Sequence, residues 1–234
     1  MLKKFANKLI RKVPFLNRQK GIKFYSSLLS KNDLCFDIGA NIGKKSRLML
    51  AVGAKVIAFE PQSSCLINLK EIKHLNFKYL PFAVGATNEE RKLNLSNHSE
   101  VASLSDKFIS SFTTKNCYWN DEEIVQVKSL DYLINEYGLP NFCKIDVEGF
   151  EFEILSTLTY QIPLIEFEFT GQFIDETIEI LTIFSKYNYQ YNYILNENLK
   201  FKLSNWVSKE EIKIIINSLS KEKLHGNLFC KIIN

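Results

Sequence analysis

Carboxylates stand at a recurring kind of place in this sequence. Asp37 lies in FDIGANIG (36–43), Glu60 in KVIAFEP (55–61), Asp146 and Glu148 in KIDVEGFE (144–151), and Glu168 in PLIEFEF (163–169). Each follows or closes a short apolar run of the kind that forms a buried strand, and in open α/β sheets ligands bind outside the carboxyl ends of the strands. Acids at such a place can accept a proton from a reacting hydroxyl. With water they can also hold Mg²⁺, which prefers oxygen ligands. Asp146 is the first candidate for this work and Glu148 the second, with helix capping near Gly149 as the competing role for Glu148. Glu166 and Glu168 are two apart and share a strand face. Glu168, nearer the carboxyl end, is the site candidate, while Glu166 is expected to pair with a basic side chain. Glu151 and Glu153 are expected on a helix, facing water.

The turn in FDIGANIG is the second chemical signal. Glycines at 39 and 43 let the chain turn sharply and leave main-chain atoms open to a ligand. The pyrophosphate-cradling GxGxxG pattern would need glycine at 39, 41 and 44, where this sequence has Gly39, Asn41 and Lys44. That mismatch disfavours a nicotinamide dinucleotide. Glu60 closes the next strand, where a carboxylate can accept both hydroxyls of a ribose. Glycine turn and acid together point to a nucleoside-like ligand.

The elements that must position these residues alternate regularly. DLCFDIG predicts a strand, KKSRLMLAVG a helix closed by Gly53, KVIAFEP a strand, SSCLINLKEIKHL a helix and FKYLPFAVG a third strand. The alternation resumes with SLDYLINEYG, NFCKIDV, EGFEFEILSTL and PLIEFEF, then a helix over 173–186 and final strands in YQYNYIL and NLFCKII. This predicts an α/β domain with a parallel sheet. Residues 86–128 break the rhythm with RKLNLS, VASLS and EEIVQVKS, predicting an inserted β-ribbon or lid. The expected organisation is a basic helical extension over 1–30 and one domain over 31–234.

The 234 residues, 46% hydrophobic and 24% charged, suffice for one sizeable core. The net charge of +4 is uneven, because residues 1–20 hold seven basic residues and no acid. The near-neutral body argues against a nucleic-acid partner, whose binding domain would carry positive charge on its folded surface. Leu2, Phe5, Leu9, Val13 and Leu16 fall at helical spacing among those basic residues. Such a helix can pack on the domain or make peripheral contact with an anionic membrane through residues 1–20. No apolar run approaches the ~18 residues of a spanning helix, and Lys8, Arg11 and Lys12 interrupt any signal-peptide core. Five cysteines without CxxC spacing read as free thiols of a cytoplasmic protein, and three histidines without ligand spacing predict no zinc site. His98, in SNHSE, is expected to be a solvated loop residue.

DIGANIG followed by Glu60 resembles the first motifs of the class I S-adenosylmethionine-dependent methyltransferases. With KIDVEGFE and PLIEFEF in that order, the chain resembles the FkbM family more narrowly, over roughly 31–195. Family members are mostly O-methyltransferases acting on hydroxyls of sugars or natural products. The resemblance implies a Rossmann-like, seven-stranded, mostly parallel sheet with helices on both faces and the last strand antiparallel. It implies S-adenosylmethionine as cofactor, surrounded by Asp37, Gly39, Ala40, Asn41, Gly43 and Glu60, with Ala83 beside the adenine. Asp146, Glu148 and Glu168 would act on a saccharide or small-molecule acceptor, with Mg²⁺ as an optional helper. A non-catalytic nucleoside-binding scaffold of the same fold is the alternative.

Overall fold

Strands that are covered on both faces need apolar side chains in both directions, and LCFDI and FCKI supply them. In the computed structural model, which describes residues 15–98, 101–196, 198–222 and 224–233, these become β1 (Leu34–Ile38) and β8 (Phe142–Ile145) at the centre of the main sheet. That sheet has seven strands in the order β10-β11-β9-β8-β1-β2-β3. Its other members are β2 (Lys55–Phe59), β3 (Phe77–Leu80), β9 (Leu164–Thr170), β10 (Tyr189–Leu195) and β11 (His225–Ile232). The last strand inserts antiparallel between β9 and β10, and the other pairings are parallel. This is the seven-stranded, mostly parallel sheet with an antiparallel last strand that the resemblance implies.

Alternation along each strand divides the core in two. Phe36, Ile38, Cys143, Ile145, Ile165 and Phe167 face α5 (Leu130–Tyr137), α6 (Glu151–Ser156), α7 (Ile174–Ile183) and α8 (Lys209–Ser218). Cys35, Phe142 and Leu164 face the other way, toward α1 (Phe15–Ser26), α2 (Lys44–Val52) and α3 (Ser63–Lys70). Gly53 closes α2 in the left-handed conformation, as its position predicted. Helix α8 was not anticipated, although Ser208 and Glu211 form a reciprocal capping box that its sequence spells out. Residues 1–14, most of the basic segment, lie outside the described residues. No described helix is long and apolar enough to cross a membrane.

The third strand is two strands. Pro81 has no N–H to continue the ladder, so β3 stops at Leu80 and β4 (Phe82–Gly85) enters a second sheet, ordered β4-β7-β5-β6. Its remaining strands are β5 (Glu89–Ser96), β6 (Ala102–Ser103) and β7 (Trp119–Ser129), with α4 (Asp106–Phe112) between the last two. Ala83 therefore lies on β4, not at the end of the third strand of the main sheet. The second sheet packs Ala83, Leu93, Val125 and Val127 around Phe150. This brings it against the turn that follows β8.

Candidate active site

The turn after β1 is held by its neighbours. The N–H groups of Gly39 and Ala40 both donate to the Phe59 carbonyl, at 3.0 and 3.1 Å. Gly39 has φ 67, and a Cβ there would lie 1.8 Å from the Asp146 carbonyl oxygen, so only glycine lets the two turns meet. Gly43 has φ 78, and a Cβ there would strike Ile72 and Leu69 behind the turn. Asn41, at φ 51, donates its N–H to Glu60 Oε2 at 2.7 Å, and the Gln62 N–H donates to Glu60 Oε1 at 2.9 Å. Burial pushes the Glu60 carboxyl above its ordinary value, against the pull of these two hydrogen bonds and Lys144. A carboxylate offers about four lone-pair positions. Two are engaged here, leaving capacity for a ligand.

Beneath the turn runs a row of charge. Strand register sets Asp37 beside Lys144 and Lys144 beside Glu166, all on the α1–α2 side of the sheet. Each is at most 2% exposed. Lys144 Nζ donates to the carbonyls of Gly39 (2.8 Å) and Ile38 (3.2 Å) and lies 3.3 Å from Asp146 Oδ2 and 3.5 Å from Asp37 Oδ1. Burial lowers the pKa of this ammonium, but Asp146, Asp37 and Glu166 outweigh it and hold the pKa well above the usual lysine value. Ser46 donates to Asp37 Oδ2 at 2.5 Å, and Glu166 accepts from the Tyr25 hydroxyl at 3.1 Å with Lys45 4.0 Å away. The Glu166 pairing with a cation is as its sequence context suggested.

A cavity of about 280 Å³ opens over these groups, between the two sheets. Gly39, Ala40, Asn41 and Glu60 line one part and Asp146 and Glu148 another, while Ala83 and Leu93 contribute apolar wall. Glu148 has φ 54, and burial first, then Asp146 and Glu151, raise its carboxyl to about 8 against the opposing charge of Lys144. Glu151 is buried and accepts the Val147 N–H at 2.9 Å; burial carries it to about 7. A carboxyl raised toward neutral pH at a cavity wall can take or give a proton there.

The protein family model for the methyltransferase FkbM domain matches residues 37–191, which span the glycine turn, the acidic strand ends and the second sheet. The chain belongs to the FkbM methyltransferase family. No curated protein sequence matches it significantly. Similar solved structures include the precorrin-6y C5,15-methyltransferase of Geobacter metallireducens, at 11% identity over 92% of this chain and 86% of that one, with TM-score 0.49. The plantazolicin methyltransferase BpumL is 11% identical over 99% and 90%, with TM-score 0.48. An rRNA methylase of Streptococcus thermophilus is 10% identical over 91% and 94%, with TM-score 0.45.

The FkbM domain brings Gly39, Ala40, Asn41, Glu60, Ala83, Asp146 and Glu148 to one cavity. Three other expected site residues sit elsewhere. Asp37 is fully buried under the turn, because alternation along β1 points it at Ser46 and Lys144. Gly43 packs against α3 and the residues after it. Glu168 lines a separate small hollow with Phe108, Gly149 and Phe173, where burial, Asp146 and Glu148 push its carboxyl well up. Among the described residues no group of three or more His, Cys, Asp or Glu side chains could hold a metal ion, so the Mg²⁺ reading has no ligand set there. Glu151 and Glu153 do lie on α6 but not in water: Glu151 is buried, and Glu153 is partly buried because α6 packs against α7. His98 is exposed, with its ring Nε2 2.9 Å from the Asn116 carbonyl. Lys144 was overlooked; a lysine inside the apolar run NFCKIDV was the signal, since a buried ammonium demands partners.

Proposed function

We propose that this FkbM domain methylates a hydroxyl of a saccharide or other natural-product acceptor, using S-adenosylmethionine. The observation that carries the reading is Glu60: its carboxylate is clamped by two backbone N–H groups at the end of β2, beside the glycine turn, with acceptor capacity left for a ribose. The cavity's acids test the cofactor's chemistry as well. Glu60, set directly beside the glycine turn, suits a sulfonium cofactor, which carries positive charge and no phosphate, better than it suits a pyrophosphate. When bound, this cofactor supplies an electrophilic methyl group for in-line displacement.

Every other part belongs to the chain. Asn41 orients Glu60, and Gly39 keeps the turn in contact with the Asp146 loop, fixing the distance between the cofactor and acceptor sides. Apolar Ala83 and Leu93 limit the water reaching the cavity. A hydroxyl is a weak nucleophile until it loses its proton, and Glu148, a cavity carboxyl raised to about 8, can take that proton once ionised. Asp146, locked onto Lys144, would hold the acceptor by hydrogen bonding. The acceptor class is supported by family membership, since most members methylate sugar or natural-product hydroxyls.

Isothermal titration with S-adenosylhomocysteine, followed by labelled methyl transfer to a saccharide panel, tests this reading. Glu60→Ala should weaken binding by roughly a hundredfold, because hydrogen bonds to a charged group are worth about 1.5–3 kcal/mol each. No heat with the wild type, or equal heat with the variant, would sink it.

A further inference from the structure

Four described non-glycine residues have left-handed backbone: Asn32, Asn41, Asn196 and Glu148. Asparagine tolerates that conformation, whereas glutamate holds it only when its surroundings impose it. The imposing contact comes from the second sheet. Ser103, on β6 and 1% exposed, donates its hydroxyl to the Glu148 carbonyl at 2.7 Å and accepts the Ser105 N–H at 2.9 Å. Ser105 in turn caps α4 by accepting the Phe108 N–H at 3.1 Å. The ring-bearing carbon of Phe108 presses on Gly149, where a Cβ would come within 2.8 Å of it. Residues 103–108 thus bracket the Glu148–Gly149 turn on two sides. The same stretch, through Ala102 and Leu104, forms part of the cavity wall.

We propose that Ser103 is a positioning residue for the methyl-transfer reaction, its hydroxyl holding the Glu148 peptide so that this side chain stays at the cavity wall. The inference rests on the reading of Glu148 as the base. It gives the second sheet a role in the chemistry beyond covering the site. The charged groups acting on Glu148 are Asp146 and Glu151, with Lys144 opposing from β8, while Glu148 in turn raises Glu168 on β9. From the second sheet, Arg91 lies over the Phe150 ring, and Lys107 of α4 is paired with Glu176. Asp106, also on α4, is exposed.

The test uses the full chain labelled with carboxyl-¹³C glutamate, with the Glu148 resonance identified by its loss in Glu148→Gln. In the wild type that carboxyl should titrate near 8. Ser103→Ala should let the turn relax into water and move the midpoint down by about one pH unit or more, a tenfold change in proton affinity. Ser103→Thr, which keeps the hydroxyl, should restore the wild-type midpoint. Should the alanine variant fail to fold, Ser103→Cys, a weaker donor of similar size, is expected to give a smaller downward shift. A wild-type midpoint in the folded Ala or Cys variant overturns the proposal. S-adenosylhomocysteine binding is measured alongside and should be unchanged in the Ser103 variants. Absence of that binding in the wild type would refute the methyltransferase reading, while the titration would still decide whether Ser103 positions Glu148.

Discussion

Replacing Lys144 with methionine removes the one cation in the row Asp37–Lys144–Glu166 and keeps the side chain's bulk. Asp37, fully buried, would retain Ser46 as its hydrogen-bond donor, and the carbonyls of Ile38 and Gly39 would lose the ammonium. Breaking a buried ion pair from one side costs about 3–5 kcal/mol. The Gly39 carbonyl loses its donor and adds to that, while the Ile38 carbonyl keeps the Asp146 N–H; protonation of a carboxyl offsets part of the cost, so the net loss should be about 4 kcal/mol. Against a typical total of about 5–15 kcal/mol the domain should remain folded but weakened. With a urea slope of roughly 2–3 kcal/mol per molar, the denaturation midpoint should fall by about 1.5 M. The ammonium's raised pKa means its contribution is fully present below the unfolded lysine value of about 10.4 and is lost only as pH rises through the still higher folded value. The weakening should therefore be visible at pH 7. Adding Asp37→Asn to the methionine variant should recover about 2 kcal/mol relative to the sum of the single changes, since the orphaned charge is gone. A Lys144→Met midpoint within experimental error of the wild type, or strict additivity in the double variant, would refute the picture of a charge-balanced row.

Two further outcomes follow from the turns. Gly39→Ala must both adopt a left-handed φ, at ~1–2 kcal/mol, and push its Cβ away from the Asp146 carbonyl; S-adenosylhomocysteine binding should be abolished and the melting temperature lowered, and calorimetric binding at wild-type strength would contradict the turn's geometry. Glu148 is a carboxyl whose folded pKa, about 8, lies above its unfolded value, so its contribution is fully present below about pH 4.5 and is lost as pH rises toward 8. Glu148→Gln should accordingly gain stability over the wild type as pH rises from 5 to 8.5, by on the order of 4 kcal/mol; a gap that stays constant in urea melts across that range would show the carboxyl is not raised.

Much of the site is written locally. FDIGANIG, AFEP and KIDVEGFE each combine an apolar run with a turn and an acid, and such short-range patterns survive any arrangement of the rest of the chain. They sufficed to place Gly39, Asn41, Glu60, Asp146 and Glu148 at strand ends, and those residues do meet at one cavity. The capping box of Ser208 and Glu211 was equally legible, though α8 went unrecognised beside its stronger neighbours.

Other features needed the third dimension. Period-two alternation says which residues of one strand share a face, but not which strand lies next to it or in what register. Only the pairing of β1, β8 and β9 puts Lys144 between Asp37 and Glu166, turning an isolated lysine into the centre of a buried row and drawing Asp37 away from the cavity. Glu168 lies in a hollow of its own, since its position near a strand end does not reveal that Gly149 and Phe108 come to line it. Ser103 carries no sequence signal, since its partner is a peptide carbonyl 45 residues away. The residue types and their order determined the chemistry this chain can attempt; sheet register and the packing of the second sheet decided which groups face it, because both depend on contacts between distant segments.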